Sequence, residues 1–182
     1  MSRPVLLGPW RLGLVLALAA LAGCASVNDD STAAERQELA NLPLWAWVPA
    51  TKPATLVKSF RHFCIETPSD PARRTAVLRA ADYIPTGGWN NGIRHFVSGT
   101  DRRPMVSLSD TGRLCAVRAR ARPGQSNAIL REIAEAYPDA RPMPPSASYD
   151  AAWLISPDEM IALLRHPHSA GQNEFTIALT RQ

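Results

Sequence analysis

The stretch IRHFVSGTDRRPMVSLSDTGRLCAVRA, residues 93–119, decides the fold. It holds three short apolar-rich runs, IRHFVS (93–98), PMVSLS (104–109) and RLCAVRA (113–119), separated only by GTDRR and DTG. Runs of this length bounded by Gly, Asp and Pro are strands, and connections this short can join only antiparallel neighbours. Asp110-Thr111-Gly112 is a hairpin turn, with the glycine free to take the positive φ that tight hairpins need. The stretch is therefore an antiparallel meander, and such a sheet needs a covering layer on at least one face.

The flanking sequence supplies that layer. Before the meander, Leu56, Val57, Phe60, Phe63 and Cys64 recur at i, i+1, i+4, i+7 and i+8, one face of a helix from about Ala54 to Ile65. In TPSDPARRTAVLRAADY, Asp70 is an N-cap and Pro71 the first helical residue of a second helix that runs to about Tyr83. Its Arg73, Arg74 and Arg79 form a basic side, either a solvated face or a patch for an anionic surface. Pro85 to Gly92, PTGGWNNG, is a loop without the preceding strand that a phosphate cradle requires. Trp89, between Gly87-Gly88 and Asn90-Asn91, is a candidate contact residue there.

After the meander, Ile129, Leu130, Ile133, Ala134 and Tyr137 share a helical face, with Ser126 as cap and Pro138 as stop. AAWLIS (151–156) and EFTIALT (174–180) have strand character. The segment between them is ambiguous. Ser156-Pro157-Asp158-Glu159 matches a capping box, whereas Ile161, Leu163 and Arg165 alternate as in a strand; segment 157–165 is assigned to a strand of a terminal hairpin. The expected fold class is α+β: a mainly antiparallel sheet of about five or six strands with two or three helices packed on it.

The N-terminus follows a different logic. MSRPVLLGPWRLG carries two arginines, and Leu12 to Ala22 adds eleven uncharged residues, an n-region followed by an h-region. At about 1.5 Å per residue, eleven residues are too short for a hydrocarbon core about 30 Å thick. Leu21-Ala22-Gly23-Cys24 resembles the lipobox of bacterial lipoprotein precursors, a likeness confined to the first 24 residues. The resemblance implies that Cys24 is the lipidation site, its sulfur carrying diacylglyceryl, with cleavage between Gly23 and Cys24. Membrane attachment through that anchor and a possible envelope protein partner follow from it. Ala25, where an aspartate marks inner-membrane retention in some Gram-negative bacteria, implies the outer membrane facing the periplasm if the host has two membranes. The alternative is an ordinary signal peptide with Cys24 incidental. The expected organisation is signal peptide 1–23, lipidated tether and proline-punctuated lead-in 24–53, and a single α+β domain 54–182. Within the lead-in, AAERQELA forms a short helix, and Trp45 and Trp47 form an edge strand, pack over the core, or rest at a membrane or partner surface.

Export would place Cys64 and Cys115 in an oxidising compartment, where a pair of thiols tends to bridge. Cys115 shares its strand face with Val117, so both cysteines point into one helix-on-sheet layer. Two buried free thiols, or a reactive cysteine served by His62 or His95, are the alternatives. His62 lies two residues from Cys64, which on a helix turns the pair apart.

The chemistry read from the rest is sparse. The net charge is +4, and cleavage before Cys24 removes Arg3 and Arg11 to leave +2, too little to imply nucleic acid. His166-Pro167-His168 has no neighbouring carboxylate or cysteine and reads as an exposed loop, so no metal is assigned. Nothing points to a cofactor or to an oligomeric state. The sequence therefore leans to a non-catalytic, lipid-anchored binding or structural module. A small periplasmic hydrolase or transferase, or an inhibitor or immunity-type protein, are the competing classes.

Overall fold

The computed structural model describes residues 31–99, 102–121, 124–167 and 173–182. Five α-helices lie in these residues: α1 Ala33–Asn41, α2 Leu44–Trp47, α3 Pro53–Phe60, α4 Pro71–Ala80 and α5 Ser126–Ala136. Eight strands form one antiparallel sheet: β1 Ile84–Pro85, β2 Ile93–Val97, β3 Met105–Ser109, β4 Leu114–Ala121, β5 Arg141–Pro142, β6 Ala151–Ser156, β7 Glu159–Pro167 and β8 Asn173–Arg181. Their spatial order is β1-β2-β3-β4-β8-β7-β6-β5. Two meanders thus run inward from opposite edges, and α5 carries the chain from the centre at β4 to the far edge at β5. The C-terminal strand β8 closes the sheet by pairing with β4 from Leu114↔Thr180 to Ala121↔Asn173.

The α+β class and the six longer strands agree with expectation, and segment 157–165 is strand β7 after a tight turn at Pro157-Asp158. The strand number is corrected upward. The two extra strands are two-residue edge pairings, too short to carry an alternating pattern, and each ends in a proline that cannot donate a further ladder hydrogen bond. The helix number exceeds the two or three expected on the sheet, because the lead-in adds α1, over the AAERQELA stretch expected to be helical, and the unforeseen single turn α2. Trp45 and Trp47 are in that turn and not in an edge strand.

The main core lies between one face of the sheet and α3 and α5. Leu56, Val57, Phe60, Phe63, Ile129 and Ile133 from the helices meet Leu108, Cys115, Val117, Ile161, Phe175, Ile177 and Leu179 from the strands. Ala134, expected on the buried face of α5, is exposed, and Ser126 is the first helical residue while Gln125 occupies the cap position. After Phe60 the helix widens into a π turn, Arg61–Glu66. Phe63 and Cys64 are buried in this turn, and Cys64 is bonded to Cys115 across a Cα separation of 5.4 Å.

On the opposite face, one cross-strand row contains Ser107, Ala116, Ala178, Ala162 and Ala152 in register. His95 extends this row on β2.

The lead-in is tied to the folded body. A reciprocal capping box joins Thr32 and Glu35 at the start of α1, and the same Glu35 pairs with Arg79 of α4. Farther on, Arg120 N donates to Pro49 O and Thr51 N to Arg120 O, each at 3.0 Å. Residues 49–51 thereby line up beside β4 where β3 has not yet begun. Among the described residues, no helix is long and apolar enough to cross a membrane.

Candidate functional site

Helix α4 begins as the sequence predicts: Asp70 accepts from Arg73 N at 2.7 Å and Pro71 occupies the first turn. It ends at Ala80, earlier than expected, and the chain reverses through Asp82 at φ 58°. The three arginines do not share one solvated side. Arg74 is inside the protein at 1% exposure, since the 100° step from Arg73 turns it inward beside Leu78. Arg79 faces Glu35, and Arg73 remains exposed.

Outward from α4, Pro71, Ala72, Thr75, Ala76 and Arg79 occupy the i, i+3/i+4, i+7/i+8 positions of one stripe. Three of these are small, leaving a cleft of about 490 Å³ whose other wall is Trp89 and Arg94. The loop bearing Trp89 is held to β2. Thr86 N donates to His95 O at 2.9 Å, and Asn90 and Ile93 exchange two backbone hydrogen bonds of 2.9 Å. Asn91 and Gly92 have φ of 49° and 73°, the pair of positive values that defines a type I′ hairpin turn. The Asn90-Asn91 pair is thus part of a defined turn. Arg94 is buried, donates from Nε to Gly87 O at 2.8 Å, and lies over the Phe96 ring at 5.6 Å from its centroid. Half-buried Trp89 packs against the core and presents its remaining surface to the cleft.

The cleft joins two features that the sequence offered separately, Trp89 and the cationic side of α4. Arg94 and the small residues of α4 escaped sequence analysis. Arg94 lies in a strand run without a signature, and Ala72, Thr75 and Ala76 acquire meaning only as the floor of a cleft.

The other candidate contact residues lie elsewhere. Trp45 is 69% exposed beside Leu44 at 78%. Trp47 is half-buried, and its indole N–H finds no hydrogen-bond partner among the described residues. Cys24 and His168 lie outside the described residues, and His166 and Pro167, expected in an exposed loop, instead end strand β7, where they pair with Glu174 and Asn173.

The cysteines and histidines resolve into distinct arrangements. Both sulfurs of Cys64 and Cys115 are used in one bond, so neither is a free nucleophile. His62 is exposed, with Nδ1 3.5 Å from Glu66. His95 Nδ1 lies 2.7 Å from Ser107 Oγ, directly across β2 and β3. His95 sits at an exposed position of β2, and partial desolvation of its ring, followed by the Arg118 cation, lowers its pKa. A serine-activating histidine needs a carboxylate to stabilise the imidazolium, and a cation does the opposite. Among the described residues, no group of three His, Cys, Asp or Glu side chains could hold a metal.

Comparison with models of known protein families, with curated proteins and with solved structures finds no match to this chain.

Proposed function

We propose that this chain is a lipid-anchored cell-envelope protein, attached through Cys24, whose domain is a non-catalytic binding module using the cleft between Trp89 and α4. The observation that carries the compartment is the Cys64–Cys115 bond inside the core. Such bonds persist in oxidising surroundings and are rare in the cytosol. That agrees with the export-type leader and lipobox at residues 1–24. Ala25 favours the outer membrane, facing the periplasm, in a host with two membranes.

Recognition through the cleft is supported by its composition: an aromatic wall on a hydrogen-bonded loop, an apolar floor and bordering arginines. Trp and Arg are the side chains that most often anchor protein contacts.

Two experiments test the proposal. Cys24→Ser should abolish acylation and cleavage before residue 24; unchanged migration and detergent-phase partition would refute the lipid anchor. A photo-crosslinking residue at Ala76, activated in intact envelopes, should capture a discrete partner in the otherwise native protein and lose it when Trp89→Ala is added. Equal capture by both proteins would remove Trp89 from the binding site.

A further inference from the structure

Leu44 and Trp45 are the exposed large hydrophobic residues of the described structure, at 78% and 69%. They are adjacent, and their exposure belongs to a firmly held segment. Arg120 of β4 donates from Nη2 to Trp45 O at 2.7 Å and from Nε to Val48 O at 2.6 Å, clamping both ends of the turn to the sheet. The following residues pair with the backbone of Arg120 itself. The turn therefore presents its apolar side chains on fixed backbone.

A cation lines a groove with Trp45, and another lies one groove farther on. Arg102 lines a groove of about 600 Å³ together with Trp45, and an adjoining one together with Lys52. Thr51 Oγ1 donates to Arg102 O at 2.7 Å, joining the cationic loop to the chain that leads from the turn. On the far side of the larger groove, the Glu38 carboxylate approaches Gly99. An exposed Leu-Trp pair with an arginine at its groove and a lysine in the adjoining one is the chemistry that settles at the headgroup level of an anionic bilayer. The indole spans the apolar boundary while the cations meet lipid phosphates.

We infer that the corner formed by Leu44, Trp45, Lys52 and Arg102 docks on the surface of the bilayer that holds the anchor. The inference rests on the anchoring of Cys24 proposed above. Six residues lie between Cys24 and Ser31, seven Cα steps with a reach of at most about 25 Å, and nine-residue α1 adds about 14 Å before the corner. A corner tethered so closely meets its own bilayer at high effective concentration, so a small patch suffices to hold it. Docking orients the domain and sets the direction in which the Trp89 cleft faces.

The test uses the full-length protein purified from membranes and reconstituted into phosphatidylglycerol-rich vesicles with brominated acyl chains. The emission difference between wild type and Trp45→Phe isolates Trp45, and intact mass of the same sample shows whether Cys24 is acylated. Anchoring and docking are thus read independently. Docking requires the Trp45 component to be quenched by bromine and shielded from aqueous acrylamide. Leu44→Ser, a change at an exposed position, and Lys52→Gln with Arg102→Gln should each reduce that quenching at least about twofold, as should high salt for the wild type. If the protein proves unacylated, the anchor fails, and the same readout on added vesicles decides docking. Acylated protein whose Trp45 stays open to acrylamide and untouched by bromine overturns docking and leaves the anchor standing. Shielding that needs no lipid and grows with protein concentration assigns the corner to a second copy of the chain and also overturns docking.

Discussion

The buried guanidinium of Arg74 donates from Nη2 to the carbonyl oxygen of Cys64 at 2.7 Å, so a cation and one half of the disulfide share the same end of the core. The same Nη2 reaches Thr67 O at 3.4 Å, and Nη1 reaches Gly112 O at 3.5 Å. The first two carbonyls belong to the end of the π turn and its exit, where intrahelical donors run out. The third lies in the β3–β4 hairpin. Arg74 thereby joins α4, the π turn just before it and the distant β3–β4 hairpin. Burial and then the nearby Arg181 cation lower its pKa to about 10, with Glu159 opposing them, so it stays charged at neutral pH.

Arg74→Met keeps most of the side-chain volume but leaves these carbonyls without their donor. The expected loss is about 3 kcal/mol of unfolding free energy, because removal of a buried charged donor strands its acceptors. Urea denaturation of variant and wild type measures it. Arg73→Met on exposed surface should stay within about 0.5 kcal/mol of wild type.

Reducing the Cys64–Cys115 bond, or replacing both residues with alanine, frees a loop of sequence separation 51 in the unfolded chain. The expected cost is about 2–4 kcal/mol. Intact mass should place the native protein two hydrogens below its reduced form, and denaturation with and without reductant gives the difference in stability. Equal midpoints would show that the bond contributes nothing.

Gly112 is held at φ +72°, and a Cβ built there would meet Ser69 O at 2.1 Å. Gly112→Ala must therefore displace backbone as well as strain its own φ, for a loss of about 2–4 kcal/mol. Gly124 has φ +86° with no atom of the described residues within 4 Å of such a Cβ. Gly124→Ala should lose only about 1 kcal/mol, the cost of the backbone conformation alone. The difference between the two thermal melts isolates the contact with Ser69.

His95 links stability to pH. Its folded pKa lies below the usual 6.5, through partial desolvation of the ring and then Arg118. As pH falls through 6.5 the unfolded chain takes up a proton that the folded protein refuses, so stability falls until the folded pKa is reached. Above 6.5 both states are neutral at this site and the contribution is flat. His95→Gln, which can still hydrogen-bond Ser107, should show a shallower loss of stability between pH 7 and pH 5 in matched denaturation series. Parallel curves for the two proteins would refute the assignment.

Much of this architecture is legible in local pattern. Period-two runs locate the six longer strands, Asp70-Pro71 locates the start of α4, and the spacing of Leu56, Val57, Phe60, Phe63 and Cys64 locates a buried face. The pairing of Cys64 with Cys115 follows from the same patterns, because both residues fall on inward positions of elements that pack together. Less of the candidate site is visible. Trp89 stands out by type, but Ala72, Thr75 and Ala76 are ordinary helix residues until a loop from β2 is folded over them.

The sequence by itself determined the six longer strands and the helices α3, α4 and α5, since periodicity and capping act over a few neighbours. It also determined that two cysteines share one layer. Tertiary structure decided what depends on meetings between distant segments: the central position of β8, the inward turn of Arg74, the clamping of the Leu44-Trp45 turn by Arg120, and the cleft beside Trp89. An arginine on a helix has the same local pattern whether it faces water or three unpaired carbonyls. Only the packed fold, by burying those carbonyls and bringing them within reach of one guanidinium, distinguishes the two.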